Sequence, residues 1–272
     1  MQPAHGWQAG RAPDHSRVMK LLTENPATRD PAHWSQRLQE AVQVWLMAPD
    51  AAANPDIGRQ CEALLSAPEC RRLAAFRFER DRTLYLAAHA LLRSVLSLYA
   101  PVSPAGWRFR SNLHGKPELD MPERTYNLQF NLTHTPGLVA CVVTNGPDCG
   151  IDVEGDLSAR DIDGLARRMF AAPEIAVLNA LQPSGRVRQF AHFWTLREAY
   201  SKALGCGLGG LSRATWFEPA DAGSYRVCTA GRDEPASWHC AVMQPSDVHV
   251  LSVVFRQSGQ HRPALEQHWM EL

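Results

Sequence analysis

The sequence lacks any apolar run close to the roughly 20 residues that a helix needs to cross a bilayer. Its first twenty residues, MQPAHGWQAGRAPDHSRVMK, contain no apolar core of the kind found in signal peptides. It also lacks a net charge, because Lys plus Arg and Asp plus Glu both total 28. These absences argue against a membrane protein, a secreted protein and a nucleic-acid binder held by overall charge. We therefore expect a soluble cytoplasmic protein whose partners include neither a membrane nor a nucleic acid.

The seven cysteines are odd in number and include no C-x-x-C pair. Neither a disulfide framework nor a zinc site is indicated, and reduced thiols in a cytosolic protein are expected. Hydrophobic residues make up 45% and charged residues 21%, which is typical of a globular chain. At 272 residues, the chain can form one large domain or two modest lobes.

Apolar periodicity predicts two long amphipathic helices, over 81–100 and 186–205, the second ending at Gly205 as a C-terminal cap. Strand-like runs accompany both helices: VQVWLMA, TYNLQFNLTH and GLVACVVT in the first half, and CGIDVEG, RATWFEP, ASWHCAVM and VHVLSVVFR in the second. The repeated order predicts an α+β fold of two similar lobes, each a long helix packed on a small, mainly antiparallel sheet. A cleft between two such lobes is a common place for an active site.

The domain boundaries follow from this order and from composition. We expect a flexible N-terminal extension over 1–36, an N-terminal lobe over 37–149, a C-terminal lobe over 150–257 and a loose polar tail over 258–272. Because both lobes belong to one chain, a monomer is sufficient.

The segment GIDVEG places Asp152 and Glu154 two residues apart on a predicted strand, so both side chains project from the same face. Two neighbouring carboxylates repel each other unless a positive charge lies between them. The alternative is a half-exposed strand whose polar side faces water.

The segment WTLREAYSKALG places Glu198 and Lys202 one helical turn apart, which also suits an ordinary surface ion pair. Combined with Asp152 and Glu154, however, Glu198 completes a set of carboxylate ligands that Mg²⁺ prefers together with a substrate phosphate. Lys202 would then suit a phosphate oxygen rather than Glu198.

Three further segments supply candidate binding residues. HGKPEL holds Lys116 in a constrained turn, FNLTHT places His134 and its neighbour Thr133 at a strand end, and an arginine-rich stretch over 69–83 suits a phosphate or an acidic partner. Each has a structural alternative: a common turn, a hydrogen-bonded loop histidine and a solvated helix face.

Taken in order, HGKP, FNLTHT, GIDVEG and WTLREAYSKALGCGL resemble the motifs of the 4′-phosphopantetheinyl transferases, more closely the larger, surfactin-synthetase-activating type than the small trimeric acyl-carrier-protein synthases. The resemblance covers roughly 43–256. It implies coenzyme A and magnesium in the cleft between two α+β lobes. It also implies transfer of the phosphopantetheine arm of coenzyme A to a serine of an apo acyl, peptidyl or aryl carrier protein, releasing adenosine 3′,5′-bisphosphate.

Carried over by motif, the resemblance implies that Asp152, Glu154 and Glu198 bind magnesium, with Glu198 as the general base and Lys202 beside the reacting phosphate. It further implies that coenzyme A is contacted by Lys116, Thr133, His134, Arg77, Arg82, Thr83, Asp152 and Lys202. Arg197 replaces a lysine that often precedes the family glutamate. We expect this exchange of one cation for another to matter little.

Two other functions remain open at this point. A magnesium-dependent nucleotide phosphohydrolase would use the same carboxylates and lysines with water as nucleophile. A module that binds coenzyme A or a carrier without reacting would be expected to have lost one of those residues, and this sequence keeps them all.

Overall fold

The computed structural model describes residues 18–20, 31–120, 126–157, 160–221, 223–230, 238–257 and 263–272. These described residues form seven α-helices and twelve strands, which confirms the predicted α+β class. They divide into two compact units. The N-terminal unit comprises the described residues of 15–148 together with 263–272, and the C-terminal unit those of 149–262. The similarity of the two lobes stays a prediction.

The N-terminal unit is built on a five-stranded sheet and the long helix α4. Its elements are β1 (Val18–Lys20), α1 (Pro31–Glu40), β2 (Ala41–Met47), α2 (Pro55–Glu62), α3 (Ala67–Ala74), α4 (Glu79–Tyr99), β3 (Phe109–Ser111), β4 (Pro117–Leu119), β5 (Leu128–Thr135), β6 (Leu138–Asn145) and β12 (Ala264–Glu271). The sheet order is β1-β12-β2-β6-β5, with β12 parallel to both β1 and β2 and the remaining pairs antiparallel. The predicted helix over 81–100 is confirmed as α4, which buries its apolar residues in the core of this unit.

The expectation of a loose tail over 258–272 is wrong for Ala264–Glu271, which forms β12 between β1 and β2. Polar residues suggested a solvated tail, but two of them are paired within the fold. His268 forms a hydrogen bond with Gln43 at 2.7 Å, and Glu266 forms an ion pair with Arg37 at 2.6 Å. The expected extension over 1–36 is also wrong in part, because α1 begins at Pro31 and Val18–Lys20 form β1. Residues 1–17, 21–30 and 258–262 lie outside the described residues.

The C-terminal unit is an antiparallel sheet covered by the long helix α7. Its elements are β7 (Cys149–Glu154), α5 (Ile162–Met169), α6 (Ala172–Ala180), α7 (Pro183–Leu204), β8 (Thr215–Pro219), β9 (Ser224–Thr229), β10 (Trp238–Ser246) and β11 (His249–Arg256), with sheet order β7-β11-β10-β9-β8. The predicted helix over 186–205 is confirmed as α7, and Gly205 caps it at φ 68°. Strand β9 was missed by the sequence analysis. None of the helices in the described part of the chain is long and apolar enough to span a membrane.

Each unit contains a buried glutamate–arginine pair that joins a short helix to the long one. Glu69 accepts from the Ser66 backbone N–H at the start of α3 and binds Arg93 of α4 at 2.5 Å. In the same way, Glu174 of α6 binds Arg197 of α7 at 2.5 Å. Arg197 is 1% exposed, so its guanidinium belongs to the core of this unit. The expectation that arginine in place of lysine matters little here stays a prediction.

Candidate active site

Gly150 sets the distance between β7 and α7. A Cβ atom at this position would overlap the carbonyl oxygen of Ala199 and lie 2.6 Å from the backbone nitrogen of Ala203. Because alternate residues of a strand share a face, Asp152 and Glu154 project toward the same side as the missing Gly150 side chain, where α7 lies. This role of Gly150 does not follow from the sequence, since a glycine beside a strand equally suits a turn or the approach of a ligand.

Replacing Gly150 with Ala is expected to destabilise the protein by about 3 kcal/mol, because the clash is with helix backbone that no side-chain rotation can relieve. Urea unfolding measures the change. Gly209→Ala is the control, since a Cβ there meets nothing within 4 Å. If the two variants unfolded at the same urea concentration, the close approach of β7 and α7 would be contradicted.

Lys202 reaches from α7 to the edge of β7. Its Nζ donates to Asp152 Oδ1 at 2.6 Å and to the Ile151 carbonyl oxygen at 3.2 Å. Asp152 is 6% exposed whereas Lys202 is half-buried, so water screens this ion pair less than it would screen one at the surface. Lys202 thus places a positive charge against a carboxylate of the predicted metal set.

Glu198 lies on α7 one turn before Lys202 and is electrostatically coupled to both strand carboxylates. Burial and the negative charges of Asp152 and Glu154, opposed by the positive charge of Lys202, together raise the pKa of Glu198 to about 7, with burial as the largest cause. The charges of Asp152 and Glu154 act on the Glu198 carboxylate in this way because the three groups lie near one another. The three predicted ligands therefore share one acidic environment within the C-terminal unit.

Glu154 lies at the end of β7 and is held by two donors. The indole Nε1 of Trp194 donates to Glu154 Oε1 at 3.0 Å, and Arg160 lies 3.4 Å from Oε2. Burial raises the pKa of Glu154, Arg160 lowers it, and the charge of Asp152 raises it again. Neither donor was predicted from the sequence, although Trp194 precedes Glu198 by one helical turn and so lies on the same face of α7.

The donor set of this site fits a hard divalent cation. Asp152, Glu154 and Glu198 offer carboxylate oxygens, which Mg²⁺ prefers, whereas a zinc site would call for histidine or cysteine. The burial and mutual repulsion that raise the pKa values of Glu154 and Glu198 would be relieved by a bound cation. Among the described residues, however, no three His, Cys, Asp or Glu side chains already form a metal-binding cluster. Magnesium binding at this site therefore stays a prediction.

The remaining predicted residues lie in the N-terminal unit. Lys116 is half-buried in the β3–β4 turn, where Asn112 Oδ1 accepts from its backbone N–H at 3.0 Å. On β5, Thr133 is buried and His134 is exposed, which agrees with the alternation of a strand. Of the arginine-rich stretch, Arg77 is exposed before α4, whereas Arg82 and Thr83 are half-buried in its first turns. The roles expected of these residues toward coenzyme A, like the cleft, stay predictions.

The predicted metal ligands lie in a part of the chain that is similar to a known protein family. The profile of the 4′-phosphopantetheinyl transferase superfamily matches residues 148–254. The chain is 33% identical over 227 residues to 4′-phosphopantetheinyl transferase HetI of Nostoc sp. (strain PCC 7120), covering 82% of this chain and 90% of that protein. It is 29% identical to the phosphopantetheinyl transferase of Thraustochytrium sp. over 78% of each chain. It is also 30% identical to 4′-phosphopantetheinyl transferase Sfp of Bacillus subtilis (strain 168), over 52% of this chain and 58% of that one.

Proposed function

Because the chain belongs to the 4′-phosphopantetheinyl transferase superfamily, as its motifs predicted, we propose that it transfers the 4′-phosphopantetheine arm of coenzyme A to a serine hydroxyl of an apo carrier protein. Adenosine 3′,5′-bisphosphate is the leaving group. The observation that carries this proposal is the acidic site at the β7–α7 contact, which lies inside the region matched by the family profile. The relatives are named transferases, so the phosphohydrolase alternative gains no support.

In this proposal Asp152, Glu154 and Glu198 hold Mg²⁺, which neutralises charge on the diphosphate of coenzyme A. Glu198 accepts the proton of the attacking serine, because a hydroxyl is a weak nucleophile at neutral pH. Lys202 binds Asp152 Oδ1 in the structure described here. When coenzyme A is bound, the ammonium group of Lys202 stabilises negative charge on the phosphate of the leaving adenosine 3′,5′-bisphosphate.

Mass spectrometry of apo carrier proteins tests this function. Purified protein is incubated with coenzyme A, Mg²⁺ and a panel of acyl and peptidyl apo carriers, and at least one carrier should gain the mass of one phosphopantetheine. A carrier whose acceptor serine is replaced by alanine is the control and should stay unmodified. Cleavage of coenzyme A without any carrier, and no carrier modified, would favour the phosphohydrolase instead.

A further inference from the structure

The carboxylate of Glu154 is fixed at both oxygens by side chains outside the predicted ligand set. Trp194 Nε1 donates to Oε1 at 3.0 Å, and the Arg160 guanidinium faces Oε2 at 3.4 Å. The two donors are not equivalent, because the side chain of Arg160 is 47% exposed whereas Trp194 is half-buried on α7. A hydrogen bond from a half-buried, rigid ring restricts a carboxylate more than a long, solvated side chain does.

The Trp194 ring is itself oriented by the core of the C-terminal unit. It stacks on Phe190, with ring centroids 5.9 Å apart and planes 17° apart, and Phe190 is 1% exposed. Phe190 in turn packs against Phe170 at 5.1 Å. Glu154, by contrast, is the last residue of β7, paired with Val250 where the ladder ends. The core thus orients the Trp194 indole, and the indole N–H orients the Glu154 carboxylate at the end of β7.

We propose that Trp194 is a positioning residue that holds the Glu154 carboxylate in the orientation that binds the divalent cation. The proposal rests on the proposed function, since it takes Glu154 as a metal ligand. Hydrogen bonds from residues around a metal site orient the ligands, and their loss typically lowers metal affinity or activity by about 10- to 100-fold.

Trp194→Phe tests the proposal, because it keeps an aromatic ring beside Phe190 and removes the N–H donor together with the smaller ring of the indole. We expect the Mg²⁺ concentration for half-maximal transfer to rise about tenfold or more, with transfer at saturating Mg²⁺ within about threefold of the unchanged protein. Calorimetric titration of Mg²⁺ into protein saturated with coenzyme A, without carrier, should show the same loss of affinity. Thermal unfolding without metal should change little.

Trp216→Phe is the matched control. Trp216 Nε1 donates to Glu218 Oε1 at 2.9 Å on β8, so this variant loses the same kind of indole–carboxylate bond away from the predicted ligands. Its Mg²⁺ dependence should stay unchanged. If Trp194→Phe also kept the unchanged Mg²⁺ dependence, or lost activity that no Mg²⁺ concentration restored, a positioning role would be contradicted.

Glu154→Gln separates failure of this proposal from failure of the proposed function. If Glu154→Gln shifts the Mg²⁺ dependence and Trp194→Phe does not, only the positioning role is wrong. If neither variant shifts it, both the ligand assignment and the positioning role are wrong.

Should Trp194→Phe fail to fold, the indole ¹⁵N–H resonance of Trp194 in the unchanged protein gives the answer. It should move when Mg²⁺ is added with coenzyme A, and an unmoved resonance would overturn the proposal.

Discussion

Replacing Glu198 with Gln is expected to lower the rate of phosphopantetheine transfer by about a thousandfold or more while coenzyme A binding stays largely intact. Glutamine has nearly the same size, but it cannot accept the serine proton and it removes one negative charge from the predicted metal ligands. Loss of a general base alone accounts for about 10²- to 10⁴-fold. Single-turnover loading of an apo carrier measures the rate, and calorimetry measures coenzyme A binding.

Glu218→Gln provides the control for this substitution. Glu218 is on β8 in the same unit and is bonded to Trp216 and Arg226, so it tests the general effect of losing a carboxylate. We expect its transfer rate to stay near that of the unchanged protein. Near-normal turnover in Glu198→Gln would show that another group accepts the proton.

Arg197→Met is expected to destabilise the C-terminal unit by about 3–5 kcal/mol, because it leaves a buried carboxylate without its counter-charge. Glu174 and Arg197 are each 1% exposed and 2.5 Å apart. The same guanidinium donates to the Thr215 carbonyl oxygen at 2.8 Å, so the variant also leaves an acceptor on β8 unpaired. Urea unfolding of the purified variant measures the loss.

The double variant Arg197→Met/Glu174→Met should recover part of this stability, since it removes both charges. Recovery is incomplete because Glu174 also accepts from the Ala171 backbone N–H at 2.9 Å. Arg188→Met, an exposed position on the same helix, should unfold like the unchanged protein. An Arg197→Met protein of unchanged stability that had lost transfer would contradict the structural role and place Arg197 in the reaction.

Elements with a strong local signal could be predicted from the sequence. The apolar stripe of α7 and the glycine that follows it define a helix and its end, and the Pro136–Gly137 turn defines the β5–β6 hairpin. Strand β12 could not be predicted in this way. Its pairing joins Ala264–Glu271 to a strand more than two hundred positions earlier, and nothing in the local pattern shows that Glu266 and His268 will find partners there.

The site was predictable to the same extent. The two-residue period of a strand places Asp152 with Glu154, and the helical period places Glu198 with Lys202. How the strand lies against the helix is not local. The packing of β7 on α7 depends on Gly150, which lets the strand approach the backbone of Ala199. This packing brings the Lys202 ammonium group within reach of Asp152. The indole of Trp194 could be recognised as a partner of Glu154 only once that packing was known.

In the proposed function, one divalent cation is bound jointly by the carboxylates of Asp152, Glu154 and Glu198. Crystals grown with Mn²⁺ and coenzyme A test it most directly, through anomalous diffraction from manganese. We expect a single strong peak within about 2.5 Å of an oxygen of each of the three side chains, next to the diphosphate. A peak bound to other residues, or no peak at these three side chains while coenzyme A is bound, would contradict it.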